Sequence, residues 1–359
     1  MSRRLLIYGA TGFTGRLVAE RARTLGIDVE VGGRDAARLR ALAGPLGLPW
    51  RAASLADAAA LDAALADIHA VLHVAGPYAD TARPMLAACL RNGVHYLDLG
   101  GELPACLDIE RADGAARGLG LMLMPGAGFV VAASDCLAVH LARRMPGARR
   151  LRIALSRADL FSRGTLRAMF GLVREGVSIR RDGRLTGVPV GRLERAFDFG
   201  AGPRLCTALS WADVLTAWRT TGIPDITVYA EADARARLLY QTGALLSLPL
   251  RAPAMQRLVA RQARFWPAGP TAAKRGAARR VIVAEVEDAW QQRLGARLHT
   301  PDGYDLTPPI ALAIARRVLA GDLRPGVQTP AGLSGPELVL ALDGVVLEDM
   351  PSGPLRRLG

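Results

Sequence analysis

The amino-acid sequence predicts an α/β protein: a Rossmann-type domain with a parallel sheet, joined to a second domain of α+β type. In the first 125 residues, short apolar runs alternate with helix patterns, and a glycine-rich turn follows the first apolar run. From Leu151 onward the alternation becomes irregular. Repeated β-α units imply a parallel sheet with helices on both faces, whereas the irregular part is typical of a mixed, largely antiparallel sheet with helices.

The predicted strands of the first domain are apolar runs that end near glycine or polar residues. They lie at Leu5–Tyr8, Val29–Val31, Ala70–Val74, His95–Leu99 and Leu119–Met124. Helix patterns between them cover residues 16–24, 35–42, 58–65 and 81–91. We expect Asp35 to cap the second helix, Gly44-Pro45 to stop it, and Asn92-Gly93 to close the fourth.

The second domain contains strand and helix patterns in irregular order. Strand patterns occur at Leu151–Leu155, Ile226–Tyr229, Val281–Val286 and Arg297–His299. Helix patterns occur at Thr165–Arg174, Trp211–Thr220, Arg235–Leu246 and Met255–Arg264. The predicted domain limits are 1–130 for a dinucleotide-binding domain, 131–303 for a substrate or dimerisation domain, and 304–359 for a C-terminal segment.

The glycine-rich turn is the strongest local signal in the chain. It consists of Gly9, Ala10, Thr11, Gly12, Phe13, Thr14 and Gly15, and it joins a predicted strand to a predicted helix. Gly9 makes the sharp turn, Gly12 lets the backbone approach a pyrophosphate, and Gly15 lets the helix pack closely on the strand. The amides and dipole of the helix would face the phosphates, so these seven residues predict a dinucleotide site.

The second strand indicates which dinucleotide is bound. A free ribose 2′-hydroxyl is usually held by an acid near this point, whereas a 2′-phosphate needs a cation. Arg34 can bind a 2′-phosphate with two hydrogen bonds, and Asp35, the competing candidate, is better suited to cap the next helix. We therefore expect NADPH rather than NADH. The remaining predicted cofactor-binding residues are Ser54, Ala75, Gly76 and Pro77.

Composition excludes several other classes of protein. The hydrophobic fraction of 50% is typical of a globular protein. The four cysteines form no C-x-x-C pair, so neither a disulfide scaffold nor a zinc ribbon is expected. We expect no bound metal. No motif for nucleic acid is present, and only 5% of residues are aromatic, so nucleic acid is not an expected partner. A short-chain dehydrogenase would need a tyrosine four residues before a lysine, but the only lysine is Lys274, and residue 270 is proline.

Charge and hydropathy leave a surface interaction open. The net charge is +13, and no acid occurs between Ala234 and Ala284, where ten residues are basic. Residues 238–250 are apolar, so the basic 235–280 region fits either a membrane or lipid portal or a core helix or homodimer interface with arginines at its rim. No export signal or membrane span is visible, so we expect a cytoplasmic protein, with peripheral membrane contact as the alternative.

Several short segments in chain order resemble the saccharopine dehydrogenase-like oxidoreductases. The most specific is the first block, in which Gly76-Pro77-Tyr78 matches the family's "Gly-Pro-Tyr" loop and residues 88–102 match its "Ala-Cys…Gly-x-x-Tyr-x-Asp…Gly-Glu" run. Weaker landmarks occur at Gly126–Phe129, Ser134–Cys136, Gly164-Thr165, Gly303–Thr307 and Pro325–Ala331. The resemblance implies an active site in an interdomain cleft and a helix over residues 306–320 that packs back on the first domain.

The resemblance implies reduction of a C=C or C=N bond with NADPH. Within the family, we favour a trans-acting enoyl reductase on a lipid-like or carrier-bound substrate. The alternatives are an amino-acid-linked imine reductase of the saccharopine type, or a non-catalytic NADPH sensor or lipid-associated scaffold. One departure favours the last: the family pattern "Gly-Phe-Asp-x-x-Pro-Ser-Asp" has Val130 and Ala133 here in place of its first aspartate and its proline.

The candidate catalytic residues are Tyr78, Asp98 and Asp135. Each is placed near a strand end at the predicted cleft, and reduction requires a proton donor there. Tyr78 is the first choice as donor, with a ring that packs on the cofactor as the alternative. Asp98 and Glu102 could instead accept backbone amides in the turn at Gly100-Gly101. His73 lies in an apolar strand and is expected to be a core histidine.

Overall fold

A computed structural model describes residues 3–157, 162, 176–232 and 268–351. The predicted helices at 165–174, 235–246 and 255–264 lie outside the described residues, as do Gly164-Thr165 and the apolar run 238–250. Only the end of the basic region, from residue 268, is described. By contacts, the described residues form two compact units. The first comprises 3–132, Ala268–Thr271 and Gly303–Ser334, and the second comprises the rest.

The first unit is built on a parallel sheet whose strands run in the order β15-β6-β5-β4-β1-β2-β3. The strands are β1 Arg4–Tyr8, β2 Val29–Gly33, β3 Trp50–Ala52, β4 Ile68–His73, β5 His95–Asp98, β6 Met122–Met124 and β15 Gly326–Val327. The order of the first six strands is that of a Rossmann sheet, and the order reverses between β1 and β4. The fold class that we predicted is therefore confirmed.

Helices of the first unit connect these strands. They are α1 Phe13–Thr24, α2 Ala36–Leu46, α3 Ala58–Leu65, α4 Tyr78–Asn92, α5 Leu103–Arg111 and α6 Asp113–Gly118, with α7 Phe129–Arg144 leading into the second unit. Later in the chain come α10 Gly303–Ala320 and α11 Pro330–Ser334. Helix α10 packs against α1, so the predicted return of this helix to the first domain is confirmed.

Both faces of the parallel sheet are buried, as a Rossmann sheet requires. Leu6, Val71 and Tyr96 lie on one face, in a core that includes α3 and α4 residues. The alternate positions of the same strands, such as Ile7 and Leu72, are fully buried as well. The continuous apolar runs in the sequence therefore reflect strands that are covered on two sides.

The second helix differs from the prediction. We expected Gly44-Pro45 to stop it, but α2 continues through both residues to Leu46. Pro45 lies in the last turn, where only one helical hydrogen bond is lost, and Gly47 ends the helix with a φ of 61°. The patterns also did not reveal the short edge strand β3 or the helices α5 and α6, and the last predicted strand is shorter, beginning at Met122.

The second unit contains a mixed sheet with the order β10-β11-β12-β7-β13-β14-β16. Its strands are β7 Arg150–Leu155, β8 Val177–Arg181, β9 Arg184–Val188, β10 Glu194–Asp198, β11 Pro203–Leu209, β12 Asp225–Glu231, β13 Arg280–Glu287, β14 Arg293–Thr300 and β16 Val346–Met350. Only β12 and β7 pair in parallel, and the hairpin β8–β9 adds to β12. Helices α8 Asp213–Thr221, α9 Ala272–Ala277 and α12 Glu337–Leu340 complete this unit as described.

One face of the second sheet is held by charged ladders. Glu287 is buried and accepts hydrogen bonds from Arg150 at 2.7 Å, Arg152 at 3.1 Å and Arg293 at 2.7 Å. Although burial opposes the shift, the hydrogen bonds from Arg150 and Arg152 lower the pKa of Glu287 to about 2. Three arginines of β7 and β14 thus pair with one acid of β13 across neighbouring strands.

The C-terminal residues divide between the two sheets. Gly326–Val327 extends the parallel sheet, whereas Val346–Met350 pairs with β14 of the second sheet. The predicted limits at residues 130 and 303 remain predictions. Across the described ranges, no helix is both long and apolar enough to cross a lipid bilayer.

Candidate functional site

The glycine-rich turn between β1 and α1 has the geometry of a dinucleotide cradle. Gly9 adopts a φ of +93°, and a Cβ there would lie 2.7 Å from the backbone nitrogen of Ala75. A Cβ on Gly15 would lie 2.4 Å from the Gly9 carbonyl oxygen. No side chain larger than hydrogen fits at either position, so the turn brings β1, α1 and the residues after β4 into direct backbone contact.

The middle glycine of the turn is open to solvent. Gly12 is exposed, and a Cβ added to it would approach only the Gly9 oxygen, at 3.2 Å. Gly12 is also the N-cap of α1, and it has no side chain with which to cap the helix. The first turn of α1 is therefore open to an anion, as the pyrophosphate of a dinucleotide requires.

Two arginine side chains lie near the end of β2, where the ribose of a dinucleotide is expected. Asp35 accepts a hydrogen bond from the backbone nitrogen of Arg38 at 3.0 Å, which confirms its predicted role as the cap of α2. Arg34 directly follows β2 and is exposed. Arg38 donates to the carbonyl oxygen of Thr11 at 3.1 Å, so a second guanidinium lies against the glycine-rich turn. Two cations at this edge fit a 2′-phosphate better than a free hydroxyl.

The other predicted cofactor residues lie at the same edge of the sheet. Ser54 is exposed just beyond β3, and its Oγ accepts the Ala56 amide at 3.3 Å. Residues 75–77 connect β4 to α4 next to Gly9. Because all these residues follow the carboxyl ends of parallel strands, they surround the point between β1 and β4 where the strand order reverses, which is where such sheets bind ligands.

Tyr78 begins α4 directly after that connection. Its hydroxyl donates to the carbonyl oxygen of His73 at 3.4 Å, and its ring lies edge-on to the His73 ring, with centroids 5.6 Å apart. A Cβ on Gly100 would lie 2.9 Å from the ring, so glycine is required there to seat it. Burial, followed by the charges of Asp98 and Glu102, raises the pKa of Tyr78 well above 10.

Two buried carboxylates organise the turns around Tyr78. Asp98 accepts the Tyr96 hydroxyl at 2.7 Å and the backbone amides of Gly100 at 2.8 Å and Gly126 at 3.0 Å. Glu102 accepts the backbone amides of Tyr78 and Ala79, both at 2.9 Å. Burial raises the pKa of Asp98 to about 6 and also raises that of Glu102. Asp98 thus accepts an amide of the turn at Gly100-Gly101, which was the alternative left open for it, whereas Glu102 accepts the amides at the start of α4 instead.

Asp135 lies in the second unit, on α7, and is fully buried. Its charge acts on Asp213, the first residue of α8, which is also fully buried. Burial and the charge of Asp135 raise the pKa of Asp213 to about 7, although a hydrogen bond from Ser134 opposes the shift. The sequence did not indicate that two carboxyl groups would be buried together here.

His73 and the four cysteines have the character of core residues. His73 is fully buried, and burial lowers its pKa to about 3. Within the described residues, neither of its ring nitrogens has a hydrogen-bond partner of normal geometry. The four cysteines are buried as free thiols. No group of three or more His, Cys, Asp or Glu residues in the described part of the chain could hold a metal ion.

Three residues at this edge were missed by the sequence analysis. Arg38 could have been found, because it is the third residue after the Asp35 cap and therefore faces the preceding turn. Gly269 and Tyr304 contact the Phe13 ring from far along the chain. No local pattern indicates such contacts, although Tyr304 belongs to one of the landmarks of the family resemblance.

The strand order, the glycine cradle and the cations at the end of β2 define a dinucleotide-binding domain of Rossmann type. Residues 5–116 match the family model described as "Saccharopine dehydrogenase NADP binding domain". The family resemblance and the NADP cofactor that we predicted are thereby confirmed. The description of the matched family names NADP as the ligand of this domain.

The relatives share only part of the chain. A trans-acting enoyl reductase of Mycobacterium leprae is 35% identical over 151 residues, which are 39% of this chain and 36% of the relative. The match thus spans about a third of the relative's length. Among solved structures, apo saccharopine dehydrogenase (L-Glu forming) of Saccharomyces cerevisiae is similar with a TM-score of 0.65 at 16% identity, covering 97% of this chain and 100% of that one.

A second solved structure has the same fold. The homospermidine synthase of Legionella pneumophila, in complex with NAD, is similar with a TM-score of 0.61 at 10% identity, covering 100% of this chain and 94% of that one. At such identities the likeness concerns the fold, which therefore extends over both units of the chain. It does not transfer a reaction.

Proposed function

We propose that this protein is an NADPH-dependent reductase of a C=C bond conjugated to a carbonyl, in an acyl group that is lipid-like or bound to a carrier. The observation that carries the proposal is the place of Tyr78. This tyrosine begins α4 three residues after Ala75, which lies against Gly9, and its hydroxyl donates to the His73 carbonyl. The names of the relatives, which share the NADP-binding region, favour an enoyl substrate over an imine.

The chemistry that NADPH supplies in such a site is transfer of a hydride. An enoyl group accepts the hydride at its β-carbon and then needs a proton at its α-carbon. In this proposal Tyr78 donates that proton, and water then returns a proton to the tyrosine oxygen. The raised pKa keeps the hydroxyl protonated at neutral pH, and its bond to the His73 carbonyl is long at 3.4 Å, so little is lost when the hydroxyl turns to the substrate.

Asp98 and Glu102 have a supporting role in this proposal. Glu102 fixes the first two amides of α4, and Asp98 fixes the turn at Gly100 on which the Tyr78 ring rests. Either carboxylate acts on the reaction through the position of Tyr78. The catalytic role predicted for Asp135 remains a separate prediction, and replacement by asparagine in the assay below would test it.

The proposal is tested by NADPH oxidation with two kinds of acceptor. One is an α,β-unsaturated acyl thioester, and the other is a mixture of a 2-oxo acid with a primary amine. We expect oxidation with the thioester, and we expect Tyr78→Phe to lower kcat about a hundredfold without changing the Kd of NADPH. Tyr229→Phe, in the second sheet, is the matched control and should leave kcat unchanged.

Other outcomes would overturn the proposal in distinct ways. Oxidation with the amine mixture alone would establish the imine reductase instead. Tight binding of NADPH with no oxidation in the presence of either acceptor would favour a non-catalytic sensor. A Tyr78→Phe variant with full kcat would remove Tyr78 as the proton donor and leave the reductase in place.

A further inference from the structure

The ring of Phe13 is covered by a segment that lies far away in the sequence. Residues Ala268–Thr271 belong to the first unit, although the residues that follow them lie in the second. A Cβ on Gly269 would lie 2.4 Å from Cγ and from Cδ2 of the Phe13 ring. The backbone at Gly269 therefore rests directly on the face of the ring, and only glycine allows that approach.

A second distant residue contacts the edge of the same ring. Tyr304, in the first turn of α10, makes an edge-to-face contact with Phe13 at a centroid distance of 5.1 Å and an interplanar angle of 88°. Such aromatic pairs add stability beyond the area that they bury. Gly269 and Tyr304 together form what we term the Phe13 seat.

A displacement of Phe13 would disturb the cofactor site directly. It is the first residue of α1, next to Gly12, and the amides of this turn face the expected pyrophosphate. Three glycines and their close contacts already account for the turn itself, so an aromatic ring is not needed to form it. The ring instead gives the first turn of α1 an anchor outside the β1–α1 connection.

We propose that the Phe13 seat positions the dinucleotide cradle, with Gly269 as its essential positioning residue. Cofactor affinity then depends on residues outside 5–116, the span that matches the NADP-binding family. The inference rests on the cofactor part of the proposed function and is independent of which acceptor is reduced. The seat lies at the cradle that binds the pyrophosphate, which NADPH and NADH share, so both affinities must change together.

The test is the Kd of NADPH and of NADH for the full chain, followed by nicotinamide fluorescence, in Gly269→Ala. We expect both values to rise by the same factor, at least about tenfold, because the added methyl group displaces the ring and the helix start with it. Gly276→Ala is the matched control. Its Cβ would meet nothing within 4 Å, so neither Kd should change.

A second variant separates positioning from folding. In the background of Phe13→Ala, the ring that the methyl group would strike is gone, so adding Gly269→Ala should cause no further loss of affinity. Phe13→Ala alone should weaken both cofactors, which remains measurable if Gly269→Ala fails to fold. Additive losses in the double variant, or unchanged Kd values in a folded Gly269→Ala protein, would overturn the inference. Failure to reduce any acceptor would overturn only the proposed reaction, because these measurements involve binding alone.

Discussion

The carboxylate of Glu102 caps helix α4 by accepting the backbone amides of Tyr78 and Ala79, both at 2.9 Å. The residue before the helix is Pro77, which has no side chain that can accept these hydrogen bonds. The acid comes instead from the connection between β5 and α5, 24 residues further along the chain. The start of α4, and with it Tyr78, is therefore held by tertiary contact.

Removal of this cap should destabilise the protein. Glu102→Gln retains one acceptor oxygen but presents an NH2 group to the second amide. We expect the free energy of unfolding to fall by about 1 kcal/mol, as measured by urea denaturation. Glu20→Gln, on the exposed face of α1, is the control and should have no measurable effect. Equal stability of Glu102→Gln and the unchanged protein would show that the cap contributes nothing.

Arg34 should determine the preference for NADPH. Arg34→Ala removes a charged hydrogen bond to the 2′-phosphate, so the Kd of NADPH should rise about tenfold to a hundredfold. The Kd of NADH should stay the same, since NADH lacks that phosphate. Arg23→Ala, an exposed arginine at the other end of α1, is the control. An equal loss for both cofactors in Arg34→Ala would place Arg34 at a group that the two share.

Asp213 should make the second unit less stable as pH rises. Its pKa is about 7 in the folded protein against an ordinary 3.8, so the folded state binds the proton more tightly than the unfolded state. Asp213 should therefore lower the free energy of unfolding by about 1.4 kcal/mol per pH unit across that window, and Asp213→Asn should make the slope shallower by that amount. The raised pKa of Asp98 still contributes its own slope in both proteins. Urea denaturation at several pH values measures both. Asp182→Asn, in an exposed turn, should leave the slope unchanged; a slope in Asp213→Asn equal to that of the unchanged protein would refute the assignment.

His95 should act in the opposite direction. Its Nδ1 accepts the backbone amide of Met122 at 3.0 Å, and burial together with the neighbouring His69 lowers its pKa from 6.5 to about 4. Stability from the neutral ring is complete above pH 6.5 and is lost as pH falls through this window, by about 1.4 kcal/mol per pH unit. His95→Asn can still accept the Met122 amide, so its free energy of unfolding should decline less steeply as pH falls, by about 1.4 kcal/mol per pH unit, while buried His73 still contributes. Parallel curves for the two proteins would contradict the prediction.

Local sequence patterns were sufficient to predict a turn or a helix cap wherever all its residues lie within one short connection. The cradle at Gly9, Gly12 and Gly15 lies within one β-α unit, and its spacing is dictated by backbone contact between adjacent elements. The Asp35 cap spans three residues and was predicted for the same reason. Where two local signals competed, the pattern failed: Gly44-Pro45 is a plausible helix end, but Gly47 three residues later is the actual end.

The contacts that position Tyr78 could not be predicted in this way. Asp98 and Glu102 were proposed either as catalysts or as caps, and the choice depends on which amides face them after folding. Asp213 gave no signal at all, because an aspartate at the start of a helix is ordinarily exposed. Its burial near Asp135 is a tertiary feature, because Asp135 lies on α7 and Asp213 on α8.

By itself, the sequence determined the alternation of strands and helices and the dinucleotide turn, because each depends on residues adjacent in the chain. The role of Arg34 at the ribose stays a prediction. Only the tertiary structure decided which groups hold the start of α4 and which cover Phe13. Those contacts join residues 24 positions apart in the case of Glu102 and Tyr78, and further apart still for Gly269 and Phe13. Such pairs are selected by the packing of whole elements, and no local periodicity records which elements will meet.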